Sequence, residues 1–127
     1  MTDPALRAAG LSTRKIEYAR GLALATQTGT LLIDQLSGLE DAQVIEHITR
    51  LRGFGVWSAE IYCLFSLGRP DIFPADDLAL QIALARLKGL EVKPTPKAAR
   101  ALTQHWQPYR SAGALFLWHY YHEIPKV

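Results

Sequence analysis

Two glycines one residue apart, in the turn Leu51-Arg52-Gly53-Phe54-Gly55, constrain this chain more than any other stretch. Without a Cβ, each lets the backbone take conformations closed to other residues and leaves its N–H group open to close approach. The flanking pattern is helical. The turn is therefore expected to join two helices, the second starting at about Val56, over a hairpin of about 42–67. Amides at that start carry the positive end of the helix dipole, a place suited to a phosphate. Alone, a G-x-G serves equally as a plain helix–helix turn, because glycine is common just past a helix C-terminus. A second constraint lies downstream. Phe73-Pro74-Ala75 leads into paired carboxylates, Asp76 and Asp77, at the start of another apolar-periodic run.

The remaining elements follow from periodicity and caps. A short helix over residues 2–9 is expected to end at Gly10. Ser12 reads as the N-cap of a helix of about Thr13 to Thr28, with Ile16, Ala19, Ala23 and Leu24 on its apolar face. Leu31 to Leu36 is a short apolar stretch. Glu40 and Asp41 favour a helix from about Ala42, with Val44, Ile45, Ile48 and Leu51 on one face. The run from Val56 to Leu67 is apolar nearly all round, so it is expected to be the buried helix. The run from Asp77 to Lys88 places Leu78, Ile82, Ala85 and Leu87 inward. Pro96 suits the first turn of a helix to about Trp106, and a last helix runs from about Tyr109 to Glu123. No strand pattern, repeat or low-complexity tract occurs. The fold class is all-α, in one domain over residues 1–127.

Composition narrows the chemistry. A hydrophobic share of 49% supports a real core, and a net charge of +2 is compatible with a nucleic-acid partner without requiring one. A single cysteine, Cys63, excludes an intramolecular disulfide and a four-cysteine iron–sulfur cluster; it sits among apolar residues and reads as core packing. His47, His105, His119 and His122 have no Cys or Glu partners at metal-ligand spacing and read as solvated or packing residues. No apolar run reaches the ~20 residues of a membrane span, and no signal-peptide pattern opens the chain. The expected location is cytoplasmic, at the nucleoid in a bacterium, with no membrane partner.

The combination of the turn, small Ala59 one helical turn later, and Phe73 to Leu78 resembles the helix-hairpin-helix DNA glycosylase superfamily. Within it, Leu51-Arg52-Gly53-Phe54-Gly55-Val56-Trp57-Ser58-Ala59-Glu60 and Phe73-Pro74-Ala75-Asp76-Asp77-Leu78 are most similar to the DNA-3-methyladenine glycosylase II branch. Its usual forms are L-P-G-I-G-x-W-T-A-E and F-P-A-D-D-L. Gly10-Leu11-Ser12 with Lys15, and Trp106-Gln107-Pro108-Tyr109-Arg110-Ser111, match further family segments, so the likeness runs from about Gly10 to Tyr120. The last of these is read as structural, orienting the final helix.

The resemblance implies a monofunctional N-glycosylase that excises alkylated purines of the 3-methyladenine type in base excision repair, acting on double-stranded DNA with a damaged base. Breaking an N-glycosidic bond builds positive charge on the sugar, and a nearby carboxylate stabilises that state and orients water. Asp77 matches the family's catalytic aspartate, leaving Asp76 as the expected helix cap. Trp57 stands where relatives that also cleave the strand carry a Schiff-base lysine. Trp57 and Trp118 match pocket positions whose indole faces would hold a flipped cationic base. Ile61 stands where relatives have tyrosine, with Tyr62 beside it.

Gly53, Phe54 and Gly55 would supply backbone contacts to a phosphate, flanked by Arg50 and by Arg52, which replaces the usual proline. The carbonyls of Thr49, Leu51 and Phe54 would hold a structural Na+ or K+, and no other cofactor is required. The family's Q-Q-[IV]-S segment is not present. The resemblance therefore implies the larger, C-terminal part of the fold: a fragment, one half completed by a separate N-terminal complement, or a stand-alone remnant. Each leaves an apolar face uncovered, inviting a complement or self-association. The alternative function is a non-catalytic helix-hairpin-helix DNA-binding module, which needs the turn but no complete pocket.

Overall fold

In the computed structural model, residues 2–125 are described, and all their regular structure is helical. The chain divides into two compact units, Met1–Gly55 and Val56–Val127.

The first unit holds α1 (Asp3–Ala8), α2 (Thr13–Gln27), the single turn α3 (Ile33–Leu36) and α4 (Asp41–Thr49). Ser12 caps α2 as expected, its hydroxyl accepting from the Lys15 N–H at 3.2 Å. At the start of α4 the Glu40 N–H donates to the Gln43 side chain at 3.0 Å, one arm of a capping box. Ile16, Ala25, Leu31, Leu36, Val44 and Ile48 are buried. Ala19, Ala23 and Leu24, expected on the apolar face of α2, are exposed instead. Burial on α2 falls on Ile16 and Ala25. At about 3.6 residues per turn these two point to opposite sides, so α2 has no single apolar stripe.

The second unit contains α5 (Val56–Ile61), continued by a π-helical turn at Tyr62–Ser66; α6 (Leu78–Lys88); α7 (Pro96–Thr103), ended by a 3-10 turn at Gln104–Trp106; and α8 (Arg110–Glu123). Its core is built on α6. Leu80, Ala83 and Leu84 pack with Phe73 and Ala75 of the preceding loop, Ala99 of α7, and Ala114 and Leu117 of α8. The central buried helix is therefore α6 and not the run from Val56. That run buries Ala59, Glu60, Cys63 and Leu64 but exposes Val56, Trp57 and Phe65. An all-round apolar run does not fix how much of it the neighbouring helices cover: Val56 and Trp57 open α5 and stay exposed. Leu78 and Leu87, expected inside, are exposed as well; the buried stripe of α6 runs through Leu80, Ala83 and Leu84, at i, i+3 and i+4.

The start of α8 is tied to the loop before α6. Arg110 donates to Asp71 through Nε to Oδ1 at 2.7 Å and Nη2 to Oδ2 at 2.9 Å. Ser111 Oγ accepts from the Ile72 N–H at 2.8 Å and donates to the Arg69 carbonyl at 2.5 Å. Gly113 is required by closeness: a Cβ there would stand 2.4 Å from the Trp106 ring. The Gln107–Pro108 peptide bond is cis.

Candidate active site

The loop from Phe73 to Asp77 carries apolar residues inward and carboxylates outward. Phe73, Pro74 and Ala75 are buried, Asp76 is exposed and Asp77 lies half-buried. Asp77 is the N-cap of α6, and its Oδ1 accepts from the Leu80 N–H at 3.0 Å. This corrects the assignment of Asp76 as the cap. The Asp77 N–H donates to the Pro74 carbonyl at 3.0 Å, which turns the second carboxylate, not the first, over the helix start.

Two indoles converge on the same carboxylate. Trp57 Nε1 donates to Asp77 Oδ2 at 2.9 Å, and Trp118 Nε1 donates to Oδ1 at 3.2 Å. Asp77 thus receives three N–H donors, one from its own helix, one from α5 and one from α8. Three donors fix the rotamer of a carboxylate far more tightly than a cap bond alone. Trp57 remains 45% exposed, so its ring face is open beside the carboxylate. Phe65 stacks on Trp118 at 5.5 Å between ring centroids and is itself 60% exposed. With exposed Leu78 next to Asp77, an apolar and aromatic rim surrounds one charged group. Ile61 closes α5 and is partly buried.

A second charged group, Glu60 on α5, is buried and paired to an Arg100 side chain that is 41% exposed. The Glu60 side chain is 5% exposed and meets Arg100 of α7 in a bidentate pair, Nη2 to Oε1 at 2.8 Å and Nη1 to Oε2 at 3.1 Å. Burial pushes the Glu60 carboxyl above the ordinary carboxylate range, against the opposing pull of the guanidinium. Arg100 Nη1 also donates to the Phe73 carbonyl at 3.2 Å. Sequence reasoning missed this pair. The available signal was a glutamate on the same stripe as Ala59, Cys63 and Leu64; its partner, distant in sequence, left none.

In the first unit the glycine turn closes on the Phe54 N–H, which donates to the Leu51 carbonyl at 3.1 Å. Phe54 therefore contributes no free amide, in contrast to the expected trio of backbone contacts. Gly53 has φ +91°, and a Cβ on it would stand 2.3 Å from the Tyr18 ring, so only glycine fits. Gly55 has open space around it. Arg50 and Arg52 are exposed, each paired to a carboxylate: Arg50 to Glu46 at 2.6 Å and Arg52 to Glu17 at 2.7 Å. Such surface pairs are weak and exchange readily for a phosphate.

The Thr49 carbonyl lies at the end of α4, where helix carbonyls lack intrahelical partners, while Leu51, whose carbonyl accepts from the Phe54 N–H, and Phe54 lie beyond it. Three neutral oxygens suit a hard cation of low charge. Among the described residues no group of three or more His, Cys, Asp or Glu side chains stands ready for a metal ion.

Among the described residues, no helix is long and apolar enough to cross a membrane. The family model described as HhH-GPD superfamily base excision DNA repair protein matches residues 2–108. A putative DNA-3-methyladenine glycosylase of Bacillus subtilis, YfjP, is 34% identical over 113 residues, covering 89% of this chain and 39% of that protein. The structure of Schizosaccharomyces pombe 3-methyladenine DNA glycosylase Mag1 in complex with abasic DNA superposes with a TM-score of 0.88 at 34% identity, over 93% of this chain and 58% of that one. A DNA-3-methyladenine glycosidase from Bacillus halodurans superposes at 0.83 with 37% identity, over 95% of this chain and 56% of that one. The chain thus spans well under two thirds of the length of these relatives.

Proposed function

Since the chain belongs to the HhH-GPD superfamily of base excision DNA repair proteins, we propose that it acts as a monofunctional DNA N-glycosylase on alkylated purines, with Asp77 as the reacting carboxylate. The observation that carries this reading is the convergence of Trp57, Trp118 and the first turn of α6 on Asp77.

The bond from the sugar C1′ to the base nitrogen breaks with its electron pair leaving on the base. Alkylation makes the base cationic, so it departs neutral. Positive charge then spreads over the sugar ring, and the Asp77 carboxylate, its position set by three donors, stabilises it. Water adds to C1′ and gives up a proton, leaving an abasic site. The exposed Trp57 would stack on the flipped cationic base, with Trp118, itself stacked by Phe65, and Ile61 at the end of α5 completing the pocket wall. Trp57 has no amine, so no Schiff base forms at that position and the strand stays intact.

The glycine turn of the first unit is assigned to the DNA backbone. Gly53 and Gly55 would donate N–H groups to a phosphate, with Phe54 in the turn and Arg50 and Arg52 adding charge. A Na+ or K+ held by the Thr49, Leu51 and Phe54 carbonyls would supply further positive charge there.

The test is release of free bases from methylated duplex DNA, followed by chromatography and mass spectrometry. We expect 3-methyladenine in the supernatant and abasic sites without nicks in the DNA. A second reading, a helix-hairpin-helix module that binds without cleaving, is favoured by the glycine turn being built within the first unit, whereas Asp77 belongs to the second. Duplex binding with no base release, with or without an added N-terminal complement, would establish it.

A further inference from the structure

We propose that Glu60 and Arg100 are positioning residues for Asp77, a role that rests on the reading of Asp77 as the reacting carboxylate. Three pieces of structure contribute to the surroundings of Asp77: α5 with Trp57, the loop from Phe73, and α8 with Trp118. The ion pair joins the first two through α7. Glu60 lies one helical turn beyond Trp57 on α5, and Arg100 reaches it from α7. The same guanidinium then donates to the Phe73 carbonyl at 3.2 Å and comes within 4.0 Å of Asp76.

The loop is held at a second point as well. Gln81, buried on α6, donates from Nε2 to the Ala75 carbonyl at 2.6 Å and accepts from Lys93 at 3.0 Å. Two carbonyls in the approach to Asp77 are thus pinned by side chains.

A buried carboxylate is costly unless it is paired, and well-packed apolar residues hold helices together equally well. What the ion pair adds is direction. Its bidentate geometry sets the angle of α5 against the loop, and with it the Trp57-to-Asp77 bond. Glu60 is too deeply buried to touch DNA, so its effect reaches the reaction only through its partners.

The test uses the 127-residue chain with Glu60→Gln, Arg100→Lys and Asp77→Asn, alone and combined. Glu60→Gln keeps the side-chain volume. Arg100→Lys keeps the charge but has no fork to serve Glu60 and Phe73 together, and it remains informative where Glu60→Gln folds poorly. One readout is the indole N–H resonances of Trp57 and Trp118, assigned with Trp57→Phe and Trp118→Phe. The other is single-turnover base release beside affinity for abasic duplex.

In Glu60→Gln both indole resonances should move toward their positions in Asp77→Asn. Base release should fall about 10- to 100-fold, the cost of a misplaced reacting group. Affinity for abasic duplex should stay within about threefold, and Glu60→Gln should slow the Asp77→Asn chain by less than about twofold, as for residues acting as one unit. Arg100→Lys should do the same to a smaller degree.

Indole resonances unmoved in both variants would overturn the proposal. So would an equal rate loss with and without Asp77, which marks a general structural effect. A wild-type chain that releases no base, with or without an added N-terminal complement, refutes the glycosylase reading by itself. The indole resonances then decide whether the pair sets the geometry of Asp77.

Discussion

Gly53 and Gly55 look alike in the sequence and differ in what the structure asks of them. Gly53 takes a positive φ against the Tyr18 ring, so Gly53→Ala meets both backbone strain and a clash. It should cost about 2 kcal/mol or more, read as a lower midpoint in thermal or urea unfolding. Gly55→Ala has open space around its Cβ, and should stay within about 0.5 kcal/mol of the parent. If its amide faces a phosphate, the same variant weakens duplex binding at unchanged stability. The two variants therefore separate folding from DNA contact in one turn. That turn was legible in the sequence because the positive φ at Gly53 is a local demand on the backbone, although the close approach of Tyr18, remote in sequence, was not. The Glu60–Arg100 pair was not, because it joins α5 to α7, and nothing local to Glu60 names its partner. Asp77 lies between these cases. Its place at a helix start was legible, but the two indole donors come from Trp57 and Trp118, far apart in sequence, and the cap was expected at Asp76 where the structure has Asp77.

Helix boundaries followed from caps and prolines, whereas helix orientation did not. Ser12, Pro96 and the Asp76-Asp77 pair mark where α2, α7 and α6 begin, since capping is written in the few residues involved. Burial of α5 was misjudged because a run apolar all round gives no direction: Val56, Trp57 and Phe65 are apolar and yet exposed. The error matters, since the exposed Trp57 and Phe65 form the rim around Asp77. The placement of α8, which brings Trp118 to the site, depends on Asp71 and Arg110. Hydrogen bonding from Arg110 holds the Asp71 carboxyl below its ordinary value of 3.8. A depressed folded-state pKa gives stability that is complete above the ordinary value and is lost as pH falls through the lowered one. Asp71→Asn should therefore cost about 1–2 kcal/mol at neutral pH, a fall of about 4–8 °C in Tm. The gap between variant and parent should narrow below about pH 4. An unchanged gap down to pH 2 would mean that Asp71 does not titrate against Arg110.

Across the whole molecule, a net charge of +2 is too small to drive tight binding to nucleic acid by charge alone. On the proposed function, affinity for duplex DNA comes from a few placed contacts, and its salt dependence counts them. Arg52→Ala should lower the slope of log affinity against log salt by about 1, with little change in stability. An unchanged slope would remove Arg52 from the DNA contacts. The central claim is that Asp77 stabilises the sugar as the base leaves. Asp77→Asn in the 127-residue chain tests it most directly, by single-turnover release of methylated bases beside affinity for abasic duplex. Asparagine keeps the shape but carries no negative charge, so release should fall at least ~100-fold while affinity holds within about threefold. Base release at the parent rate in that variant would contradict the account.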